Sequence, residues 1–366
     1  MRRRSAGPAS RTDEPQQGPV ARAAHGDWLT LGRDGRLSLY AVADGGLLRW
    51  TETAVGGPSW SGPHFVAVDA LTHLTVAQGA NRYVHFLARR DRKGAGGQRV
   101  VDIAHAIQYQ TGLAFTDWFG IGNPHYKHWE QGWEIGPPAA AVARDGTVHV
   151  FVRNAQGGLS LRRENPDGKW KLWENLGGVG LDVRARPVAL DSGRLEVCSA
   201  AESGLFVWRQ SAPGKDFGQP SGFALNLVPG TVAALETGPD RATFLWADAG
   251  LGGTAAWRQG GWPMPLGGGP THGGYAVLRA PVDGYDCTVV ACRGDDGSVL
   301  LGMGGTESEQ AGFWWQSLDE PSQGAPALAR DGHGRIVMVL IDPRGFPKVA
   351  RQESGSGLAL STWSGI

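Results

Sequence analysis

The chain has 366 residues, with 35 Lys and Arg balanced by 35 Asp and Glu, 15 Trp and only three Cys. Zero net charge supplies no field to draw in nucleic acid or an anionic membrane, and basic stripes with interleaved aromatics are absent. Three Cys in so long a chain make no disulfide framework and require no oxidising compartment, and no stretch has the length and apolarity of a membrane-spanning helix.

Residues 1–26 are rich in Arg, Pro, Gln, Ala and Gly without periodicity, and a disordered tail is predicted there. Arg2, Arg3 and Arg4 are not followed by the apolar segment of an export signal, so a cytoplasmic protein is expected, with release by a non-classical route left open. From residue 27 a short strand pattern recurs. Its copies are Arg36–Val42, Arg82–Ala88, Thr147–Arg153, Arg194–Ala200, Arg241–Ala247, Asp286–Cys292 and Arg335–Ile341, with starts 46, 65, 47, 47, 45 and 49 residues apart. A β-rich period in the forties is the signature of a propeller, in which each repeat is one blade burying its faces against its neighbours. The spacing predicts a single all-β domain over 27–366, a closed seven-bladed β-propeller with four antiparallel strands per blade.

The third copy reads most cleanly. Pro138–Asp145, Thr147–Arg153, Asn154–Arg162 and Lys169–Gly178 are short apolar-alternating runs separated by Asp-Gly and Gly-Gly hairpin signals, which gives strands a, b, c and d of an up-and-down meander. Strand c recurs as Leu47–Trp50, Leu205–Gln210, Thr254–Gln259 and Val349–Gln352. Strand d recurs as Trp170-x-x-Trp173-x-x-Leu176-Gly177-Gly178, Trp262–Gly268 and Phe313–Leu318.

This combination of a turn, an Arg-led apolar strand b, a Gly-x-Leu-x-x-Trp-x-Gln strand c and a Trp-x-x-Trp-x-x-Leu-Gly-Gly strand d resembles the repeat of the PLL-type bacterial lectins, seven-bladed propellers akin to the tectonin-like ones. The resemblance covers nearly all of 27–366, close in blades three and four and loose in blades two and six. It implies a non-catalytic, multivalent sugar-binding protein for glycans, often fucosylated or O-methylated, held in shallow sites between blades where aromatic rings stack on the sugar. Carried over, the implied ligand-binding positions are Trp50, Trp208 and Trp257 of strand c and Trp173 and Trp315 of strand d. The strand-c position is Arg in blade three, Leu or Met in blade six and Ala in blade seven, so only some of the seven sites are expected to be live. The alternative is that these rings fill the wedge between blades and touch no ligand.

Blade two, about 70–137, is some twenty residues too long. Asp91–Arg99 falls between strands b and c, and Asn123–Glu134 falls between strand d and the next blade, so both decorate the same end of the propeller beside the channel mouth. The second insertion carries His125, Tyr126, His128, Trp129, Glu130, Trp133 and Glu134. It reads as a lid whose secondary ligand contacts are Tyr126, Trp129 and Trp133, or as an enzyme site at the channel mouth using His125, His128, Glu130 and His105. A loop packed down by its own aromatics is the bland alternative, and the balance is against an enzyme. A protein-interaction scaffold is the third reading.

His85 and His149 are expected one position apart on strand b, facing opposite sides as satisfied structural groups. Arg36, Arg82, Arg194, Arg241 and Arg335 are expected to brace neighbouring blades. Gly250–Ala255 fits a dinucleotide fingerprint by letter, but it lies between two strands and reads as a turn. No metal or cofactor is expected; the partners are glycans or a small molecule, with no nucleic acid, no membrane insertion and the oligomeric state open.

Overall fold

The computed structural model describes residues 20–366 except Trp129 and His272. It is a seven-bladed β-propeller in which every blade has four antiparallel strands, a to d from the channel outward. Strands a to d span Leu29–Leu31, Leu37–Ala43, Gly46–Glu52 and Trp60–Ala67 in blade 1, and Leu71–Gln78, Val84–Lys93, Arg99–Gln108 and Phe119–Gly122 in blade 2. In blade 3 they are Ala139–Val142, Val148–Arg153, Leu159–Arg163 and Glu174–Gly177; in blade 4, Leu181–Ala189, Leu195–Ala201, Gly204–Arg209 and Ser221–Phe223. Blade 5 has Ala233–Gly238, Arg241–Asp248, Gly253–Arg258 and Met264–Gly267, and blade 6 has Ala276–Val282, Tyr285–Arg293, Ser298–Gly305 and Trp314–Pro321. Blade 7 is Ala327–Arg330, Ile336–Ile341, Pro347–Arg351 and Ser364–Gly365. No α-helix occurs among the described residues, and no helix is long and apolar enough to cross a membrane.

Burial explains why strand b was the loudest signal. Leu37–Ala43 and Ile336–Ile341 are buried along their whole length, because a neighbouring blade covers each face; such strands read as continuous apolar runs instead of alternating. Strand d alternates or is open, as in Trp60–Ala67. The hydrophobic clusters sit between consecutive blades. Phe151, Leu161, Val197 and Trp208 join blades 3 and 4, and Val289, Leu301, Met338 and Leu340 join blades 6 and 7. Cys198, Cys287 and Cys292 are buried free thiols in these layers.

Two pieces of the repeated pattern now have physical causes. The residue ending strand c clips the first amide of strand b: Gln210 Oε1 accepts from Leu195 N–H at 2.9 Å, Gln352 Oε1 from Ile336 at 3.2 Å and Glu52 Oε2 from Leu37 at 2.8 Å. The Leu-Gly-Gly ending of strand d makes room for the next blade. Trp208 Nε1 donates to Leu176 O at 2.9 Å, and a Cβ on Gly178, at φ +85°, would stand 3.0 Å from the Trp208 ring. Gly178→Ala is therefore expected to cost about 2 kcal/mol from backbone strain and crowding together, read as a melting temperature several degrees lower. An unchanged melting temperature would show that the ring can retreat.

The strand-b arginines act unevenly. Arg194 Nε bonds Asp240 of blade 5 at 2.8 Å, Arg241 pairs with Glu307 of blade 6, and Arg335 Nη2 donates to Gly56 O of blade 1 at 2.7 Å. Arg36 stays within its own blade, on Asp34, and Arg82 sits in a turn at φ +63°.

Two expectations are corrected. The tail does not run through residue 26: Arg22–Ala23 pairs antiparallel with Ala41–Val42 of blade 1, and His25–Gly26 adds a parallel strand inside blade 2, against Thr75–Val76. Residues 1–19 lie outside the described residues. His85 and His149 do not face opposite sides, because Arg82 takes the left-handed turn position that Gly146 fills in blade 3, so that Tyr83 and not Arg82 corresponds to Thr147. His85 pairs with Ile107 and His149 with Arg163, positions that correspond in the two blades, so the rings occupy the same place in each repeat.

Candidate functional site

In an up-and-down blade the a–b and c–d turns share one end and the b–c turns and d–a crossovers share the other. The expected site residues divide between these ends and the blade interiors. Trp208 is completely buried, and Trp50 and Trp257 are 3% and 4% exposed. Trp257 Nε1 donates to Gly261 O at 3.0 Å, and its ring lies 4.2 Å from that of Phe223. These three rings fill the wedge between blades, so no sugar can stack on them, which corrects the strand-c assignment. Trp173 and Trp315 are half-buried and donate backward to the preceding blade, Trp173 to Ile121 O at 3.2 Å and Trp315 to Leu266 O at 2.9 Å. Each is a bolt between blades with one flank open.

The blade-2 insertions pack on each other. The first prolongs strands b and c into a hairpin. The second crosses its base, with Trp133 Nε1 bonded to Arg99 O at 3.0 Å, the Arg99 guanidinium 5.4 Å over the Trp133 ring, and Arg89 donating to the Trp133 and Ile135 carbonyls. His125 Nε2 accepts the Ala155 amide of blade 3 at 3.0 Å, so its lone pair is already committed to the fold. Burial lowers its pKa, with His128 adding to the effect. His128 and Glu130 are exposed, Tyr126 is 68% exposed, and Trp129 lies outside the described residues.

His105 is elsewhere: in the upper half of blade 2, buried, bonded to His85 Nδ1 at 3.0 Å and edge-on to Trp170 of blade 3. Trp170 belongs to a c–d turn and Ala155 to a b–c turn, so His105 and His125 lie toward opposite ends of the molecule. The expected acid–base funnel of His105, His125, His128 and Glu130 does not form. No three His, Cys, Asp or Glu side chains among the described residues converge as metal ligands.

The geometry that sequence did not single out lies at the c–d end, between blades. The residue beside the strand-c Trp position is Arg163, Arg209, Arg258 and Arg351 in blades 3, 4, 5 and 7, and three of these reach a carboxylate of the next blade. Arg163 pairs with Asp216, Arg258 with Glu307 and Glu309, and Arg351 with Glu52 at 2.5 Å. Arg209 departs from this rule. The corresponding loop of blade 5, residues 259–263, holds no acid but carries Trp262, whose ring is 87% exposed. Arg209 turns instead to Glu196 of its own blade, with Nε 3.2 Å from Oε1; the Nε atoms of all four arginines lack a well-aligned acceptor, but only Arg209 also leaves Nη2 buried without one. Glu196 is 3% exposed; burial raises its carboxyl pKa, against the pull of Arg209 and Arg194. An under-satisfied guanidinium, a buried carboxylate and an open indole thus share one interface. That set can donate to and accept from hydroxyls while offering a flat apolar face.

The central channel has a volume of about 1420 Å³ and is walled by the seven inner strands. At the b–c end its wall carries His25 and Arg184, with Arg186 above them and His73 at the foot of blade 2. The clue in the sequence was Arg184-Ala-Arg186, where the corresponding strands of blades 3 and 5 show Ala139–Val142 and Ala233–Leu235.

No family model and no curated protein matches the chain. Solved structures do match its fold. A lectin from Burkholderia pseudomallei is 16% identical, with a TM-score of 0.68, over 93% of this chain and all of that one. A protein from Arthrobotrys oligospora, AofleA, is 10% identical at a TM-score of 0.55, over 95% and 87%. An ulvan lyase of polysaccharide lyase family 25 is 10% identical at a TM-score of 0.57, over 94% and 95%. At such identities the likeness shows the fold alone, and this fold hosts both binding proteins and enzymes.

Proposed function

We propose that the protein is a non-catalytic carbohydrate-binding protein, and that its best-formed site is the interface between blades 4 and 5. The observation that carries this reading is the exception at Arg209: the other strand-c arginines each pair with an acid of the next blade, whereas this one pairs within its own blade, with Glu196, and leaves Nη2 without an acceptor, next to the blade whose loop presents Trp262 to solvent. A sugar hydroxyl supplies the acceptor that Arg209 lacks and donates to Glu196, while the apolar face of the ring stacks on the indole. A 6-deoxy or O-methylated sugar, the class implied by the resemblance to the PLL-type lectins, would add a methyl group to that contact. The packed state of Trp50, Trp208 and Trp257 narrows the multivalent arrangement toward few sites per molecule. Binding is favoured over turnover because His125 is committed to the Ala155 amide, and His105, toward the other end of the molecule, to His85.

A glycan array that includes fucosylated and O-methylated sugars tests the reading, with Trp262→Ala and Arg209→Gln beside the parent. Selective binding, weakened at least tenfold in both variants and unchanged in Tyr126→Ala, is expected. A blank array, or binding that survives both substitutions, would remove the proposal.

A further inference from the structure

The channel wall mixes small apolar runs, as in Ala139–Val142, Ala233–Leu235 and Ala327–Ala329, with polar and charged side chains, among them Arg82, Glu236, Arg330 and Asp331. One arc gathers cationic and imidazole groups. His25 of the N-terminal strand lines the channel with Arg184 and Arg186, which alternate along strand a of blade 4, where a period of two puts both on one face; His73, at the foot of blade 2 and outside the lining itself, stacks on His25. The His25 and His73 rings stack with centroids 6.4 Å apart and an interplanar angle of 20°. Arg184, Arg186 and His73 all disfavour charge on His25, after burial itself, and Arg89 and Arg184 do the same to His73. The four groups therefore share one positive field.

One carboxylate, Asp182, pulls on both Arg184 and Arg186, and it is shared between them and with backbone amides. Asp182 accepts from the Val183 amide through Oδ1 at 2.6 Å and from the Gly230 amide through Oδ2 at 2.7 Å. Asp27, next along the strand, accepts from the Gln78 amide at 3.1 Å. Arg89 is spent on Thr72 and the Trp133 and Ile135 carbonyls. Arg186 uses Nε on Val232 O at 2.8 Å and lines the channel, with no hydrogen bond from its terminal nitrogens to a described residue. Half-buried Arg184 has no hydrogen bond or ion pair with any described residue. Fixing two guanidiniums in a partly enclosed space with one shared carboxylate is unfavourable unless something else supplies further negative charge.

We infer that this arc of the channel is a binding site for an oxyanion, a carboxylate, sulfate or phosphate group, held once per molecule by Arg184 and Arg186 with His25 and His73 beside it. Guanidinium groups suit such anions because their forked N–H donors match two oxygens at once, and the channel is wide enough for the anion to be carried on a sugar or another small molecule. The site is separate from the interface of Arg209 and Trp262, so either can fail without the other.

Titration calorimetry of the full chain at low salt, with sodium sulfate, glucuronate, glucose 6-phosphate and neutral methyl glucoside, decides the matter. One anion per chain is expected, weakened at least tenfold in Arg184→Gln, weakened less in Arg184→Lys, lost in half-molar sodium chloride and unchanged in Trp262→Ala. Glucuronate binding in preference to sulfate would assign the site to a carboxylate, and the reverse to a tetrahedral anion. Melting temperatures of both Arg184 variants are read first, so that the lysine substitution serves if the glutamine one unfolds. No heat with any anion, several equivalent weak sites, or affinity untouched in the folded variants would overturn the inference.

Discussion

Lowering the pH from 7 to 5 is expected to remove several kcal/mol of stability from this protein, well before the carboxylates titrate. Burial depresses four histidines from their ordinary value of 6.5: His25 and His105 to about 3, and His85 and His149 to about 4. The unfolded chain takes up a proton at each below pH 6.5, whereas the folded chain refuses it until the pH reaches the depressed value. Stability is therefore intact above pH 6.5 and lost progressively as the pH falls toward 4. Each group contributes roughly 2 kcal/mol of loss at pH 5, at 1.4 kcal/mol per pH unit. Buried Glu196, half-buried Glu164 and Asp27 in the channel wall act in the opposite sense, since their raised carboxyls take protons more readily in the folded state and offset part of the loss. Denaturant melts between pH 7.5 and 4.5 measure the slope. His149, with neither ring nitrogen bonded, is the group whose replacement should flatten it, so His149→Phe is expected to gain stability at pH 5 relative to the parent. A melting midpoint flat over this range would show that the buried rings find protons or water that relieve them.

Removing residues 1–27 is expected to open the ring. The segment crosses three blades: the Ala21 amide donates to Gly345 O of blade 7 at 3.1 Å, Arg22–Ala23 pairs with blade 1, and His25–Gly26 pairs with blade 2. It buries Ala21 and Ala24 completely or nearly so. About half a dozen backbone hydrogen bonds at roughly 1 kcal/mol each, plus the apolar contact, put the loss near 5 kcal/mol or more. The truncated chain should melt about 10 °C lower or more and run larger by small-angle scattering. A single substitution reports on the same clasp. Gly26 sits at φ +71° with the Val76 carbonyl oxygen 2.2 Å from where a Cβ would lie, so Gly26→Val should displace the strand and reproduce much of the effect. Melting like that of the parent in both variants would mean that blades 7 and 1 hold each other by Arg351–Glu52 and their packing alone.

How much of this was written in the sequence follows from what each signal depends on. Strand b was legible in all seven blades because burial on both faces leaves a continuous apolar run that no register error can hide. The tryptophans were legible as a repeat, but their period is the same whether a ring fills a wedge or faces a sugar; only the position of the neighbouring blade separates Trp208, fully buried, from Trp262, nearly free. Arg82 read as the Arg that opens strand b, but it stands in the turn where blade 3 has Gly146, so the phase of His85 was misread by one residue. The channel cluster was the least visible feature. His25, His73 and Arg184 come from the strap, blade 2 and blade 4, and nothing local in any of them announces the other two.

Closure of the ring has a further consequence for how the protein is made. Blade 1 draws every strand from residues 22–67 and blade 7 every strand from 327–365, so no sheet is stitched from the two ends of the chain. During synthesis each blade can complete its hydrogen-bonded ladder as soon as its own strands emerge, in order, and six of the seven junctions can form on the ribosome. What remains for the finished polypeptide is a single docking of two complete faces, with the short N-terminal strand latching across them.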